Sequence, residues 1–147
     1  MEIAILGLGC FWGPEIKFSK LDGIIKTEVG YCGGNSKETN YKEVCTGKTN
    51  HAEVVKLDFD SKIISYEKIL YHFFEIHDPT TLNSQGPDFG TQYRSEIFYF
   101  NEQQKKIAEK ITNEENNKFS GKIVTKISLI KNYCPAEEYH QKYLEKR

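Results

Sequence analysis

The order of its predicted elements constrains this chain more than any other feature. Ile3–Leu8 is a short apolar run of strand length. Gly13-Pro14-Glu15 then opens a helix, because Pro suits a first helical turn and Glu complements the dipole there. That helix stops at Asp22-Gly23. Ile24–Tyr31 reads as a second strand, closed by Gly33-Gly34. A polar loop leads to a short turn of helix around Tyr41–Cys45, and the alternation in Ala52–Phe59 predicts a third strand. Ser65 is a candidate N-cap for a helix over Tyr66–Ile76, where Ile69, Leu70, Phe73 and Phe74 recur at helical spacing. Glu96–Phe100 is the fourth strand. The order β-α-β-β-α-β predicts an α+β fold built on a ferredoxin-like, split-βαβ core. Beyond the core, Asn101 and Gln104 resemble a capping box for a polar helix reaching about Lys118. Lys122–Ile130 predicts an added strand, and Ala136–Lys146 a C-terminal helix.

That topology places residues before any chemistry is considered. Strands 1 and 2 run parallel, and strands 3 and 4 run against them. The C-terminal ends of the first pair therefore share one rim with the N-terminal ends of the second. Converging there are Cys10-Phe11-Trp12, Tyr31-Cys32, His51-Ala52-Glu53 and Tyr93-Arg94. A long irregular segment, His77–Ser95, carries two Pro and two Gly, and loops of that length in a compact domain tend to be functional.

Composition narrows the classes. A length of 147 residues favours one domain over 1–147, able to bury a core without a metal or disulfide staple. With 38% hydrophobic and 28% charged residues the chain is neither disordered nor membrane-spanning in type. Its net charge of −1 supplies no basic field for nucleic acid or an anionic membrane. The apolar N-terminal run ends in a Cys, but no positive segment precedes it and it is short for a signal peptide. No run of about 18 apolar residues occurs, so a cytoplasmic location and a monomer are expected. Cysteines at 10, 32, 45 and 134 form no CxxC pair, and the four His are scattered, so neither a zinc site nor a disulfide framework is expected. Thiol chemistry or inert buried Cys remain.

Cys10 stands before a helix N-terminus, whose positive end favours thiolate. Gly9 and Gly13 permit a tight turn that would expose the sulfur. A lone Cys is ordinarily an inert buried hydrophobe, and the flanking Gly, aromatic and Pro residues are what argue otherwise. Phe11 and Trp12 would ordinarily be core, yet beside the sulfur their faces could hold a small apolar group such as a methyl. Glu53, alone, would be a solvated carboxylate. In an aromatic pocket its pKa would rise, making it a proton donor near neutrality.

The run Gly9-Cys10-Phe11-Trp12-Gly13 resembles the signature of A-type peptide methionine sulfoxide reductases. Further segments are similar in the same order: Gly30-Tyr31-Cys32-Gly33-Gly34, Tyr41 through Gly47, His51 through Val55, Asp88 through Ser95, and Pro135 through Gln141. The resemblance spans essentially the whole chain. It implies thiol-dependent reduction of methionine S-sulfoxide, free or in proteins, as repair after oxidative damage. By the same resemblance Cys10 is the nucleophile and Glu53 the acid at the sulfoxide oxygen, with Tyr41 and Tyr93 as hydroxyl partners. Phe11 and Trp12 are the wall for the ε-methyl group, and Asp88 orients substrate and water. The product would be a Cys10 sulfenic acid, reduced again by a second thiol or by thioredoxin, with no cofactor.

Many family members carry resolving cysteines in a Gly-rich C-terminal tail, whereas this sequence ends at Arg147. Cys134 also replaces the aromatic residue often found before Pro-Ala-Glu. The recycling candidates are Cys134, late in the chain, and Cys32, on the Cys10 rim, with Cys45 third and an external thiol as a further route. Two other functions fit the rim: a thiol peroxidase using Cys10, and a non-catalytic peptide-binding module using the aromatics.

Overall fold

Alternating apolar side chains build a six-stranded sheet whose two faces have different neighbours. The computed structural model describes residues 2–146. In chain order the elements are β1 (Glu2–Leu8), α1 (Trp12–Ser19), β2 (Ile24–Cys32), α2 (Tyr41–Cys45), β3 (Ala52–Phe59) and α3 (Tyr66–Ile76). There follow β4 (Ser84–Gln85), β5 (Asp88–Phe89), β6 (Ser95–Tyr99), α4 (Glu102–Lys118), β7 (Lys126–Leu129) and β8 (Cys134–Pro135). The sheet order is β7-β6-β1-β3-β2-β8. Its four central strands are antiparallel neighbours in the order β6-β1-β3-β2, the split-βαβ arrangement expected from the element order. β7 adds parallel to β6, and β8 adds antiparallel to β2.

One face packs Ala4, Leu6 and Leu8 of β1, Val29 and Tyr31 of β2, and Val55, Leu57 and Phe59 of β3 against the helices. The helices supply Phe18, Ile69, Leu70, Phe73, Phe74, Ala108 and Ile111. Phe73 is fully buried, and truncating such a residue to Ala costs about 3–5 kcal/mol. Behind the sheet lies a smaller cluster of Ile5, Cys32, Ala52, Val54 and Phe98.

The caps follow local chemistry. Ser65 accepts from the Lys68 N–H at 3.0 Å, and Asn101 accepts from the Gln104 N–H at 2.9 Å. Gln104 turns back to the Phe100 N–H rather than that of Asn101, and its amide also donates to the Ile3 carbonyl.

Two expectations need correction. Ala136–Lys146 contains no α-helix. It holds a 3-10 turn, Glu138–His140, and then turns, with Lys142 at φ +51°, which interrupts helical geometry. Side chains that would have decorated a helix instead bind other elements. The Gln141 amide accepts from Val29 N–H and donates to Val29 C=O, and the Lys142 N–H donates to Glu15. The segment His77–Ser95 is not wholly irregular: β4 and β5 pair Gln85 with Asp88, and Thr91–Tyr93 is a 3-10 turn.

Candidate active site

The turn after β1 carries Cys10. Gly9 sits at φ +91°, where a Cβ would lie 2.7 Å from the Gln85 side chain, so both conformation and space demand glycine. Gly13 lies within α1 and meets nothing, so the strand-to-helix turn depends on Gly9 rather than on both glycines. Phe11 caps α1 through its backbone and donates its N–H to Glu53 Oε1 at 3.3 Å. Cys10 itself is half-buried.

The thiol corrects the dipole argument. Burial pushes the Cys10 pKa up to about 11, outweighing the hydrogen bond from the Trp12 N–H, and the Glu53 and Asp88 carboxyls add to the rise. The resting thiol is therefore protonated at neutral pH. Glu53 behaves as expected of a carboxyl among apolar neighbours. It is 1% exposed, and burial pushes its pKa up to about 8 against the lowering effect of the Phe11 N–H, with Asp88 adding to the rise. Among the described residues its Oε2 has no hydrogen-bond partner. Two neutral acids thus stand side by side.

Two tyrosines and Asp88 complete the group. Tyr93 follows the β4–β5 hairpin and lies within electrostatic reach of Glu53, Asp88 and Cys10. Burial raises its pKa to about 12. Tyr41 opens α2, its pKa also raised by burial, and its hydroxyl bonds Cys45 one turn on. Asp88 is half-buried on β5. Trp12 is half-buried and stacks on Tyr143, centroids 3.8 Å apart at 13°. Phe11 is buried and its ring meets Tyr31 at 5.8 Å.

The recycling candidates separate by face. Tyr31 pairs with Glu53 on one side and with Cys134 on the other. Directly paired residues share a face, so Glu53, Tyr31 and Cys134 form one row on the helix-covered side. Cys32, one residue on, points behind the sheet into the second core cluster and donates to the Lys131 carbonyl. Cys32 reaches the rim but lies on the wrong face, which removes the reason for choosing it. Cys134 is half-buried and close to the Thr39 carbonyl at 3.7 Å. Cys45 is exposed on α2. His51 packs over Gly34 and bonds the Ser36 carbonyl at 2.9 Å, an anchor for that loop.

Sequence reasoning assigned no role to the residues that hold this group together. Glu137 accepts from the Tyr31 hydroxyl at 2.8 Å and the Tyr41 N–H at 3.0 Å, fixing where α2 begins. Arg94 and Glu96 form a buried pair at 2.6 Å, and Arg94 also bonds the Thr91 carbonyl, tying the Tyr93 turn to the sheet. His140 accepts a hydrogen bond from Trp12. Glu137 and His140 both stand in the Pro135–Gln141 motif, whose cluster of polar side chains beside a rim strand was the available signal.

A groove of about 350 Å³ opens beside Cys45, Gly47, Phe89 and Thr91. A larger cavity of about 720 Å³ lies around Phe74, His77, Glu115 and Phe119 and includes none of the group above. Among the described residues no set of three His, Cys, Asp or Glu could hold a metal ion.

The peptide methionine sulfoxide reductase family model matches residues 2–147. The peptide methionine sulfoxide reductase MsrA of Pelagibacter ubique is 80% identical over 147 residues, covering 100% of both chains. The crystal structure of Mxr1 from Saccharomyces cerevisiae in reduced form superimposes with a TM-score of 0.96 at 44% identity, covering 99% of this chain and 85% of that one. Mxr1 in complex with Trx2 gives a TM-score of 0.70 at 30% identity, covering 97% and 84%. Identity of this extent over the full length, on a shared fold, means that the chain belongs to the peptide methionine sulfoxide reductase family.

Proposed function

We propose that this chain, acting as one catalytic domain, reduces methionine S-sulfoxide, free or in proteins, to methionine, and so repairs oxidised proteins. The observation that carries the reading is Glu53. It is a fully buried carboxyl, protonated near neutrality, bonded to the Cys10 turn and left with one unpartnered oxygen.

A sulfoxide sulfur is a poor electrophile until its oxygen is protonated. Glu53 gives its proton to that oxygen as Cys10 sulfur attacks the substrate sulfur. The attack forms a transient bond between the two sulfurs; the protonated oxygen then transfers from the substrate sulfur to the Cys10 sulfur as both the S–S and the substrate S–O bonds break, so methionine leaves and Cys10 holds the oxygen as a sulfenic acid. The thiol proton of Cys10 passes to Glu53, so the acid is restored and the step balances. Cys10 is oxidised by two electrons and the sulfoxide is reduced by two. Tyr41 and Tyr93 hydroxyls hydrogen-bond the sulfoxide oxygen, and Asp88 orients the substrate and nearby water. The Phe11 and Trp12 faces receive the methyl group.

A second thiol then displaces hydroxide from the sulfenic acid as water, forming a disulfide. Cys134 is the internal candidate, supported by its place on the Glu53 row. Thioredoxin is the proposed final reductant, supported by the relative solved in complex with Trx2. A cytoplasmic site suits this cycle, because the four cysteines are free and among the described residues no helix is long and apolar enough to cross a membrane.

The test is consumption of racemic methionine sulfoxide with dithiothreitol as donor, followed by chiral chromatography of the remainder. The S epimer should vanish and the R epimer persist. Equal loss of both would contradict the assignment.

A further inference from the structure

A groove that the reaction above leaves unused opens beside the catalytic group. It encloses about 350 Å³, with Cys45, Gly47 and Lys48 on one wall and Phe89 and Thr91 on the other. Both walls adjoin the group. The Cys45 thiol is bonded to the Tyr41 hydroxyl and lies within electrostatic reach of Tyr93. Phe89 follows Asp88 directly, and Thr91 begins the 3-10 turn that ends at Tyr93.

Phe89 is 76% exposed. One exposed apolar residue is ordinary on a protein surface, but this ring is aimed by its backbone. In the β4–β5 hairpin Gln85 pairs with Asp88 and Ser84 with Phe89, so the two pairs occupy opposite faces. Gln85 packs at Gly9, and Asp88 stands within electrostatic reach of Cys10. The Phe89 ring therefore lies on the other face, at the groove. Gly90, at φ +137°, then turns the chain. Its N–H donates to the Asn83 carbonyl, and its carbonyl accepts from the Tyr93 N–H at 3.0 Å. The aromatic wall and the Tyr93 hydroxyl thus belong to one short, bonded piece of chain. Across the groove Gly47 leaves space: a Cβ there would have only Thr91 Oγ1 within 4 Å among the described residues.

We propose that this groove docks the residue next to methionine sulfoxide in an extended segment of an oxidised protein, and that Phe89 makes the enzyme favour an apolar side chain there. This rests on the reductase reading of the Cys10 and Glu53 site. Continuity with that site selects the occupant. Neighbouring residues of a chain lie about 3.8 Å apart, so a peptide whose sulfoxide is held by Tyr41 and Tyr93 carries its flanking residues along the rim that Cys45 and Thr91 border. A volume of about 350 Å³ is at the small end of ligand pockets and suits a side chain rather than a folded surface. An apolar side chain laid against Phe89 removes apolar surface of both from water, whereas a glycine there gains nothing.

The test uses acetylated, amidated peptides with methionine S-sulfoxide between glycines, and two variants with Leu directly before or directly after it. Dithiothreitol is the donor. The better Leu peptide should exceed the all-glycine peptide roughly 3- to 10-fold in kcat/KM. Phe89→Ser should bring that ratio to within a factor of about two of unity. Phe89→Leu keeps an apolar wall and should restore most of it. Phe89 is exposed, so neither substitution empties the core. A wild-type ratio below about two, or a ratio that survives in Phe89→Ser, would overturn the proposal. So would a loss confined to the thioredoxin-driven rate, which assigns the face to the reductant. A dimer that Phe89→Ser dissociates would assign it to a second copy and overturn the proposal as well. Free methionine S-sulfoxide is assayed in parallel with the wild type. If it and every peptide are left unreduced, the reductase reading falls and takes this proposal with it. If it is reduced while the peptides are used equally, only the docking groove falls.

Discussion

The Phe11 backbone N–H donates to Glu53 Oε1 across 3.3 Å, tying the turn that carries Cys10 to a carboxyl 42 residues away. The bond occupies one carboxyl oxygen and leaves Oε2 without a partner among the described residues. The same contact limits how far Cys10 and the acid can drift apart, which is what a reaction needing both at one sulfoxide requires.

Glu53→Gln retains an oxygen for the Phe11 N–H but has no proton to give. Methionine release in a single turnover should fall about 10²–10⁴-fold. Alkylation of Cys10 by iodoacetamide should persist, because the nucleophile is intact. A loss smaller than a factor of about two would make Glu53 a structural carboxyl.

Both acids are neutral at pH 7, with Glu53 at about 8 and Cys10 at about 11. The proton-balanced step starts from that doubly protonated form. The single-turnover rate should therefore be level below pH 8 and fall about tenfold per pH unit above it, as Glu53 ionises. Rapid-quench measurement from pH 6 to 10 checks this. A rate that climbs between pH 8 and 10 would mean that a preformed thiolate limits the step instead.

Local pattern carried much of this fold. α2, β3 and α3 have the bounds that cap and periodicity predict, because Ser65 and the Ile69–Phe74 stripe act within a few residues. β8 is two residues long and has no period to detect. The C-terminal segment is helical in composition, yet tertiary bonds from Gln141 and Lys142 claim the groups a helix would leave free. The site was legible wherever topology sufficed: Cys10, Glu53 and Tyr93 meet at one rim. The Cys10 pKa was not, because burial is a tertiary quantity and here outweighs a helix end. The face of Cys32 was available from strand parity alone. Tyr31 faces the helices, so its neighbour faces away.

That parity fixes the regeneration experiment. After one equivalent of sulfoxide without reductant, the wild type should lose two free thiols, and Cys32→Ser should do the same. Cys134→Ser should stop at a dimedone-reactive sulfenic acid on Cys10. Two thiols lost from Cys134→Ser would exclude it as the resolving residue, and one lost from the wild type would assign the second step to an external thiol.

His77 makes stability depend on pH independently of the reaction. Its Nδ1 faces the Phe73 carbonyl at 2.6 Å, which can only accept, so Nδ1 carries the proton. Nε2 then accepts from Ser95 Oγ at 2.7 Å, and Ser95 in turn meets Thr125 Oγ1 at 2.7 Å. Protonating Nε2 would reverse that chain of hydroxyls. Burial pushes the His77 pKa down to about 4, against the raising effects of the Phe73 carbonyl and Asp78. The folded value lies below the unfolded one of about 6.5, so the unfolded chain binds the proton first as pH falls. The stabilisation is complete above pH 6.5 and is lost between there and about pH 4, amounting to roughly 3 kcal/mol over the full interval. Urea unfolding at pH 7 and pH 4.5 measures it. His77→Gln should lose less stability over that interval than the wild type, and an equal loss in both proteins would place the titrating group elsewhere.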